Sequence, residues 1–303
     1  MTAIGLGKLI LLGEHAVVYG FPALAAALDR GVTIAAVPTP AGGSLRIDVP
    51  AWSLKCTATD DHPVARSLLA IVDALGVGRP TVTLVGDAQI PPGAGLGSSA
   101  ALAVAVSRAL LAHAKRPLDA KEIIAAANAS EALMHGKPSG VDVALAIAGG
   151  IGVYRKTTGL RSFASVPLRV LVGPSGAPRT TAAMVERVAD ATKASADDAR
   201  LRALGALTDT GTAALAAKDF AGLGAAMNRA HGILAELGVS TPQLDSLCDA
   251  ARATGAHGAK LTGAGGGGAV IAIAPRDREA AILTEWKNAG VTGFVATVGG
   301  GAS

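Results

Sequence analysis

The segment Pro91–Ala100, PPGAGLGSSA, has the residue types best suited to chemistry, because three of the five residues from 93 to 97 are glycine. Glycine lets a backbone approach a ligand closely. The following run, 98–114, has apolar residues at helical spacing, so the loop opens into a helix N-terminus, which favours an anion such as phosphate. The hydroxyls of Ser98 and Ser99 are placed to cap this helix or to bind a metal carried by the phosphate. An ordinary capped loop is the alternative.

Two better-known phosphate motifs do not fit this segment. No lysine follows the glycines, as a P-loop requires, and Ser99 and Ala100 stand where a dinucleotide-binding fingerprint has its third glycine. The chain also lacks the set of motifs typical of protein kinases. We therefore expect backbone amides and serine hydroxyls to hold any phosphate at this loop.

A second segment with chemical potential is Gly7–Gly20, GKLILLGEHAVVYG. Lys8 stands at the head of an apolar strand, where burying an ammonium group is costly unless it is paired. Such a lysine can stabilise a developing alkoxide or bind a carboxylate; a lysine on an exposed strand edge is the alternative. Glu14 and His15 follow in a turn bounded by glycines, which either contributes to a site or is simply solvated.

A third group of residues runs from Glu131 to Asp142. Glu131 and His135 are one helical turn apart on the same face, and Asp142 heads an apolar run after a turn containing proline and glycine. A carboxylate in that position is a candidate base or electrostatic stabiliser. The Glu131 and His135 pair lacks the further ligands that zinc needs, whereas Mg²⁺ needs only one or two protein oxygens, such as Glu131 with a serine hydroxyl.

The last glycine-rich segment is Lys260–Gly268, KLTGAGGGG, with five glycines among its final six residues. It leads into a predicted strand, which favours a close approach to a phosphate or to another backbone loop. A flexible turn is the alternative.

Composition limits the kinds of protein this chain can be. Its 303 residues are 50% hydrophobic and 17% charged, which is enough for about two domains with a sizeable core. The net charge is +4, but no basic run interleaved with aromatic residues points to nucleic acid. No stretch predicts a membrane span or a signal peptide. Cys56 and Cys248 match no metal or redox spacing, so we expect thiols in a reducing cytoplasm.

Hydrophobic periodicity and turn residues place these segments on secondary structure. In the first half we predict strands at 7–12, 32–37, 44–49, 81–85 and 150–155, and helices at 64–75, 98–114 and 119–135. In the second half we predict strands at 167–173, 269–274 and 293–298, and helices at 180–192, 197–217, 220–237, 242–254 and 278–289. A turn-like stretch at 156–160 indicates a domain boundary between about 156 and 168.

Taken together and in this order, the motifs resemble those of the GHMP kinase superfamily, and most closely those of its mevalonate kinase family. GKLILLGEHAVVYG resembles the first motif, PPGAGLGSSAA the phosphate loop, HGKPSGVD a segment that carries the catalytic aspartate, and KLTGAGGGG the third motif. LGVSTPQLD, residues 237–245, also resembles a segment of that family. The resemblance covers about residues 5–270.

The resemblance implies an α+β fold with two domains, 1–160 with the phosphate loop and 161–303 with the third motif, and an active site in the cleft between them. It implies transfer of the ATP γ-phosphoryl group, with Mg²⁺, to the C5 hydroxyl of (R)-mevalonate in isoprenoid precursor biosynthesis. The implied catalytic residues are Asp142, as base or stabiliser, and Lys8, which stabilises the alkoxide and orients Asp142. The other implied site residues are Pro92, Gly93, Ala94, Gly95, Leu96, Gly97, Ser98 and Ser99 for ATP, Glu14, His15 and Thr181 for substrate, Gly263, Ala264, Gly265 and Gly266 in the third motif, and Ser99 and Glu131 for Mg²⁺.

Several alternatives remain open from the sequence. Another GHMP kinase, acting on phosphomevalonate or a sugar, is the rival within the family, and a non-catalytic nucleotide-binding protein is the rival outside it. A further rival is a related decarboxylase, but that relative lacks the Glu-His signature, so Glu14 and His15 argue against it. The opening Gly5-Leu6-Gly7-Lys8 departs from the usual Ala-Pro-Gly-Lys, and Leu102 stands where animal-type enzymes have a tyrosine. The expected partners are mevalonate and ATP, with no nucleic acid and no membrane, in the cytoplasm, and a homodimer is left open.

Overall fold

The computed structural model describes residues 2–39, 43–135, 140–163, 167–177 and 181–299. Helices and strands are mixed throughout, which confirms the α+β class. The chain forms two compact units, each built from separate segments. The first unit comprises Met1–Gly7, Arg30–Pro92 and Gly97–Ala148, and the second comprises Lys8–Asp29, Gly93–Leu96 and Gly149–Ser303. The predicted division into domains 1–160 and 161–303 stays a prediction. The two compact units do not follow it, because each is made of three separate segments.

The strands along the described chain are β1 (Thr2–Leu12), β2 (Ala23–Pro38), β3 (Arg46–Val49), β4 (Leu54–Thr57), β5 (Val82–Ala88), β6 (Ile151–Arg155), β7 (Gly159–Ser162), β8 (Leu168–Pro174), β9 (Gly258–Thr262), β10 (Ala269–Ile273) and β11 (Phe294–Val298). The α-helices are α1 (Pro63–Leu75), α2 (Ser98–His113), α3 (Ala120–His135), α4 (Val141–Ala148), α5 (Thr181–Ala191), α6 (Ala199–Ala216), α7 (Phe220–Glu236), α8 (Pro242–Ala253) and α9 (Arg276–Asn288). Among these helices, none is long and apolar enough to cross a bilayer.

The first unit contains a small sheet and the helices α1 to α4. β3 pairs antiparallel with β4 and parallel with β5, and β5 pairs antiparallel with the Val32–Pro38 part of β2. α2 contacts α1, α3 and α4. Most of α2 is alanine, leucine and valine, and most of its residues are buried. A helix that is apolar nearly all round is stable only when neighbours cover it, so α2 is the centre of this unit.

The second unit contains an antiparallel sheet in the order β11, β8, β10, β9. All residues of β9 and β10 are buried, and α7 and α8 both contact these two strands. Three of its helices begin with side-chain caps from Asp198, Asp219 and Thr241. The predicted start of α8 at a threonine cap followed by Pro242 is confirmed.

The sequence predictions miss the elements that tertiary packing decides. β2 begins at Ala23 rather than at residue 32, because its alanine-rich first half has weak strand propensity but is buried in the sheet. The short strands β4, β7 and β9 were not predicted. The apolar run after Asp142 is a helix, α4, whose type a short apolar run cannot reveal.

Two glycines let α7 lie directly against β9. A Cβ at Gly258 would lie 2.1 Å from the carbonyl oxygen of Gly224, and a Cβ at Gly224 would lie 2.4 Å from the carbonyl carbon of His257. Asn228, one turn further along α7, accepts a hydrogen bond from the Ala259 amide through Oδ1 at 2.9 Å. Close packing and this amide contact together fix the position of β9.

This packing predicts opposite effects for one substitution at two points of α7. Gly224→Ala should lower the melting temperature, because overpacking against β9 costs about 1–3 kcal/mol. Gly232→Ala should raise it slightly, because nothing lies within 4 Å of an added Cβ there and alanine favours a helix by about 0.5–1 kcal/mol. Thermal unfolding of the two variants beside the unmodified chain checks this, and equal shifts of one sign would contradict it.

Candidate active site

The lysine of the first motif is buried in the second unit beside the phosphate loop. Lys8 lies on β1 and is 5% exposed, so the alternative of an exposed edge lysine is wrong. Its backbone amide donates a 2.9 Å hydrogen bond to the carbonyl of Leu96. The structure thus brings one predicted catalytic residue and one predicted phosphate-loop residue into direct contact.

The turn after β1 has a backbone that glycine alone permits. Gly13 has φ of +97°, and a Cβ there would lie 2.4 Å from the carbonyl oxygen of Pro22. His15 also has a positive φ of +59°, which is uncommon for a residue with a side chain and costs free energy unless the surroundings hold it. Its Nε2 donates a 2.9 Å hydrogen bond to the Ala264 carbonyl, which fixes both the ring and its proton. Glu14 and His15 are therefore buried and oriented, so the turn is not simply solvated.

Helix α6 supports this turn with small residues on one face. Gly205, Thr208 and Gly211 are spaced three apart and so share that face. A Cβ at Gly205 would lie 2.6 Å from the Phe21 ring, and one at Gly211 would lie 2.1 Å from a methyl group of Leu12. The helix therefore fits against the residues on both sides of Glu14 and His15.

The Glu14 carboxylate forms a buried ion pair with Lys260 on β9. Glu14 is 1% exposed and Lys260 is fully buried. The Lys260 ammonium donates to Glu14 Oε1 and also to the Leu261 carbonyl at 2.5 Å. Burial raises the pKa of the Glu14 carboxyl, and the positive charges of Lys260 and Lys8 oppose that rise. Burial lowers the pKa of Lys260, and Glu14 opposes that fall.

The third motif also holds β1 through a threonine. The Thr262 hydroxyl accepts a hydrogen bond from the Ile10 amide and donates one to the Ile10 carbonyl, each 3.0 Å long. Residues 260, 262 and 264 thus each hold one residue of the first motif. Alternate residues of a strand share a face, which is why Lys260 and Thr262 reach the same neighbouring segment.

The glycines of the third motif accommodate another backbone segment. Gly265 has φ of +79°, and a Cβ there would lie 2.1 Å from the Val239 carbonyl oxygen. The Gly266 amide donates to that same oxygen at 2.8 Å, and a Cβ at Gly266 would lie 2.6 Å from the Met184 sulfur. Of the alternatives that the sequence left open, close approach to another loop accounts for these two positions.

A buried polar network stands behind β9. His231 Nδ1 accepts from the Leu261 amide at 3.3 Å, and its Nε2 lies 3.0 Å from Asp245 Oδ1. Burial lowers the pKa of His231, so a neutral ring that donates through Nε2 fits both contacts. Cys248 lies 3.9 Å from Nδ1, and burial raises the pKa of its thiol to about 12. The thiol therefore stays protonated, and Ser240 completes the network by donating to Asp245 at 2.5 Å.

The first unit holds the other predicted residues on helices that contact one another. Ser99 is at the start of α2, Glu131 is buried on α3, and Asp142 is half-buried in the first turn of α4. α2 contacts both α3 and α4, and α3 contacts α4. Gly97, with φ of +72°, is the N-cap of α2 without any side-chain cap, so Ser98 and Ser99 are its first helical residues. Their predicted capping role is therefore wrong.

An arginine on α2 fixes the helix that carries Asp142. Arg108 donates to the Ile147 carbonyl near the end of α4 at 3.1 Å and to the Ile4 carbonyl at 2.5 Å. Burial lowers the pKa of this guanidinium, but a guanidinium remains charged at neutral pH. A cation at the C-terminus of a helix is favourable, so the contact also stabilises α4.

The remaining predicted residues are located as follows. The glycines at 93, 95 and 97 all have positive φ, which gives the phosphate loop a conformation that most residues avoid. Thr181 begins α5 and is exposed, and the preceding residues 178–180 lie outside the described chain. The side chain of His135 and the turn at 136–139 also lie outside it. In the described ranges, no cluster of three or more His, Cys, Asp and Glu residues could hold a metal.

The structure gives Lys260 and Thr262 partners that the sequence did not predict. The available signal was the same one that singled out Lys8: a lysine within an apolar stretch, which needs a partner if it is buried. The roles of Arg108, Gly13 and the small residues on one face of α6 could not be predicted in this way, because their partners are distant in the sequence.

Comparisons with known proteins show what the chain as a whole is similar to. The family models for the GHMP kinases N terminal domain and GHMP kinases C terminal match residues 63–150 and 212–292. A mevalonate kinase of Pyrococcus abyssi is 35% identical over 96% of this chain and 93% of its own length. A mevalonate kinase of Thermococcus sibiricus is 34% identical over 93% and 91%. The crystal structure of L. major mevalonate kinase in complex with R-mevalonate covers 100% of this chain and 97% of its own, with a TM-score of 0.87 and 27% identity.

Proposed function

This chain belongs to the mevalonate kinases of the GHMP kinase family, and we propose that Asp142 and Lys8 carry the transfer of the ATP γ-phosphoryl group to the C5 hydroxyl of (R)-mevalonate. The observation that carries the proposal is the burial of Lys8, Glu14 and His15. Lys8 is hydrogen-bonded to Leu96 of the phosphate loop, and His15 is hydrogen-bonded to Ala264 of the third motif. These contacts bring the acceptor-side residues and part of the phosphate loop together within one unit.

Phosphoryl transfer needs positioning and charge neutralisation more than covalent chemistry. Asp142 accepts the proton of the C5 hydroxyl or stabilises its loss. Its place in the first turn of α4 supports this role, because a helix N-terminus stabilises a carboxylate and Arg108 holds the far end of the helix. Half-burial leaves the carboxylate accessible to a substrate.

Lys8 stabilises the alkoxide that forms as the proton leaves. A buried ammonium group is worth more to a nearby negative charge than one in water. The Lys8 backbone is hydrogen-bonded to the phosphate loop at Leu96, so lysine and loop are held in a fixed relation. The loop residues 92–99 bind the ATP phosphates through backbone amides and serine hydroxyls.

Ser99 and Glu131 fit a magnesium ion. Their hydroxyl and carboxylate oxygens are the hard donors that Mg²⁺ prefers, and Mg²⁺ needs few protein ligands when phosphates and waters complete its shell. Glu131 is buried, as a carboxylate is when it is compensated by a cation or by hydrogen bonds. When bound, Mg²⁺ neutralises charge on the β- and γ-phosphates.

Glu14 and His15 bind mevalonate, with Thr181 as a further contact. Mevalonate has one carboxylate and two hydroxyls, so its hydroxyls offer hydrogen-bond donors to the Glu14 carboxylate. A neutral sugar has no carboxylate and would need fewer cations. The cytoplasmic location and a homodimer stay predictions.

The substrate is tested with a coupled ATP turnover assay on a panel of alcohols. Mevalonate should stimulate turnover, and galactose, homoserine and phosphomevalonate far less, because a site built to hydrogen-bond its substrate rejects analogues that leave its groups unpaired. His15→Leu should raise the KM for mevalonate more than the KM for ATP. A higher kcat/KM for galactose or phosphomevalonate would leave the family standing and reject mevalonate as the substrate.

Asp142→Asn tests the base. This change keeps the shape and removes the charge, so kcat should fall about 10²–10⁴-fold while nucleotide affinity stays near normal. Asp277→Asn is the matched control, because Asp277 occupies the first turn of α9 and loses the same helix-dipole interaction. Near-normal turnover of a folded Asp142→Asn protein would reject the role.

Glu131→Gln tests the metal site. The Mg²⁺ concentration needed for half-maximal activity should rise roughly tenfold or more, because one charged oxygen ligand is lost. Mevalonate binding should persist. Glu122→Gln on the same helix is the control. A Mg²⁺ titration that overlays that of the unmodified enzyme would count against Glu131 as a ligand.

A further inference from the structure

Lys260 is a costly residue to bury, and stability alone does not explain its burial. Its ammonium group is fully buried at the centre of β9, where every residue is buried. Taking charges out of water is costly, and well-packed apolar residues often replace a buried ion pair without loss of stability. A buried pair of this kind therefore calls for a role in specificity or positioning.

The contacts of Lys260 hold one oxygen of Glu14 and leave the other open. The ammonium donates to Oε1 of Glu14, and its bond to the Leu261 carbonyl fixes the ammonium itself. Oε2 of Glu14 is buried and has no hydrogen-bond partner among the described residues. A buried carboxylate oxygen without a donor is costly, and a ligand hydroxyl would satisfy it.

The neighbouring contacts show that this oxygen belongs to an organised site. His15 follows Glu14 directly and is held by the Ala264 carbonyl, two residues beyond Thr262. Thr262 holds the strand that leads into the turn through both polar groups of Ile10. Lys260 is thus one of three regularly spaced attachments between the third motif and the first.

We propose that Lys260 is a positioning residue for the acceptor alcohol, which keeps Glu14 a carboxylate with Oε2 aimed at a substrate hydroxyl. This inference rests on the proposed function of Glu14 in binding mevalonate. Lys260 itself does not contact the substrate. It acts by keeping Glu14 ionised, because a carboxylate has only acceptor oxygens and its Oε2 therefore accepts from a substrate hydroxyl.

The charged groups around the pair determine what its pH dependence should be. Glu14 faces Lys260 from β9 and Lys8 from β1. Lys260 faces Glu14 and, from α8, Cys248, whose thiol stays protonated because burial raises its pKa to about 12. His231 on α7 feels Lys260 as well, and burial lowers its pKa. Without Lys260, the pKa of Glu14 rises further, because burial then raises it with less opposition.

The test compares Lys260→Met, Glu14→Gln and the double variant by steady-state kinetics and by calorimetric titration with mevalonate. Glu14→Gln should raise the mevalonate KM roughly ten- to a hundredfold at every pH, which is the loss of a hydrogen bond to a charged group. Lys260→Met should raise it similarly near pH 7 and leave the ATP KM unchanged. Its mevalonate KM should fall again as the pH is raised, because Glu14 then ionises.

The double variant gives the sharpest outcome, because it leaves no buried charge of the pair. If Lys260 acts only through Glu14, Lys260→Met/Glu14→Gln should have the same mevalonate affinity as Glu14→Gln alone, at all pH values. This comparison stands even if Lys260→Met alone does not fold. Arg169→Met is the control: Arg169 pairs with Glu279 at 2.6 Å, and losing that pair should lower the melting temperature without changing either KM.

Three results would overturn the inference. A double variant that binds mevalonate clearly more weakly than Glu14→Gln would mean that Lys260 acts directly. A Lys260→Met protein whose mevalonate KM is raised equally at all pH values, or is unchanged, would mean that it does not control the ionisation of Glu14. A Glu14→Gln protein with a normal mevalonate KM would reject the role of Glu14 and the inference with it, while turnover of mevalonate by the unmodified enzyme would still uphold the function.

Discussion

The second unit depends on compensating two opposite charges that water cannot reach. The Glu14 carboxylate and the Lys260 ammonium are each stable as ions only because the other is present, and their residues are 246 positions apart in the sequence. Bringing them together requires β9 to lie beside the turn after β1. The Thr262 contacts with Ile10 and the His15 contact with Ala264 meet the same requirement, and so do the glycines that let α7 approach β9. Several features of the fold thus serve one alignment.

This alignment also depends on the glycines of the third motif in this unit. Gly265 and Gly266 let the Val239 carbonyl come close, and the Gly266 amide binds it. The segment around Val239 leads into α8, whose Asp245 holds His231 behind β9. The strand carrying Lys260 is therefore supported on one side by a neutral histidine network and on the other by the first motif. Rigid support of this kind lets a site hold polar groups in one orientation without water.

The sequence was most informative where chemistry is local. The glycine loop before α2, the start of α8 at Thr241 and the cost of burying Lys8 all follow from neighbouring residues, and the structure confirms the helix starts and the burial. It was least informative where partners are distant. The argument that predicted a partner for Lys8 applies equally to Lys260, but β9 is short and precedes a glycine run, so its burial was not visible. Nothing in the sequence pairs Lys260 with Glu14, since hydrophobic periodicity reports only on local structure.

The central claim is that Glu14 is an ionised carboxylate held by Lys260 inside the protein. A difference infrared spectrum between the unmodified protein and Glu14→Gln, recorded at neutral pH, tests it directly, because a carboxylate and a protonated carboxyl absorb in separate regions. The account predicts that the bands lost on substitution are those of a carboxylate. Loss of a protonated carboxyl band instead would mean that the buried pair is neutral, and would contradict the account.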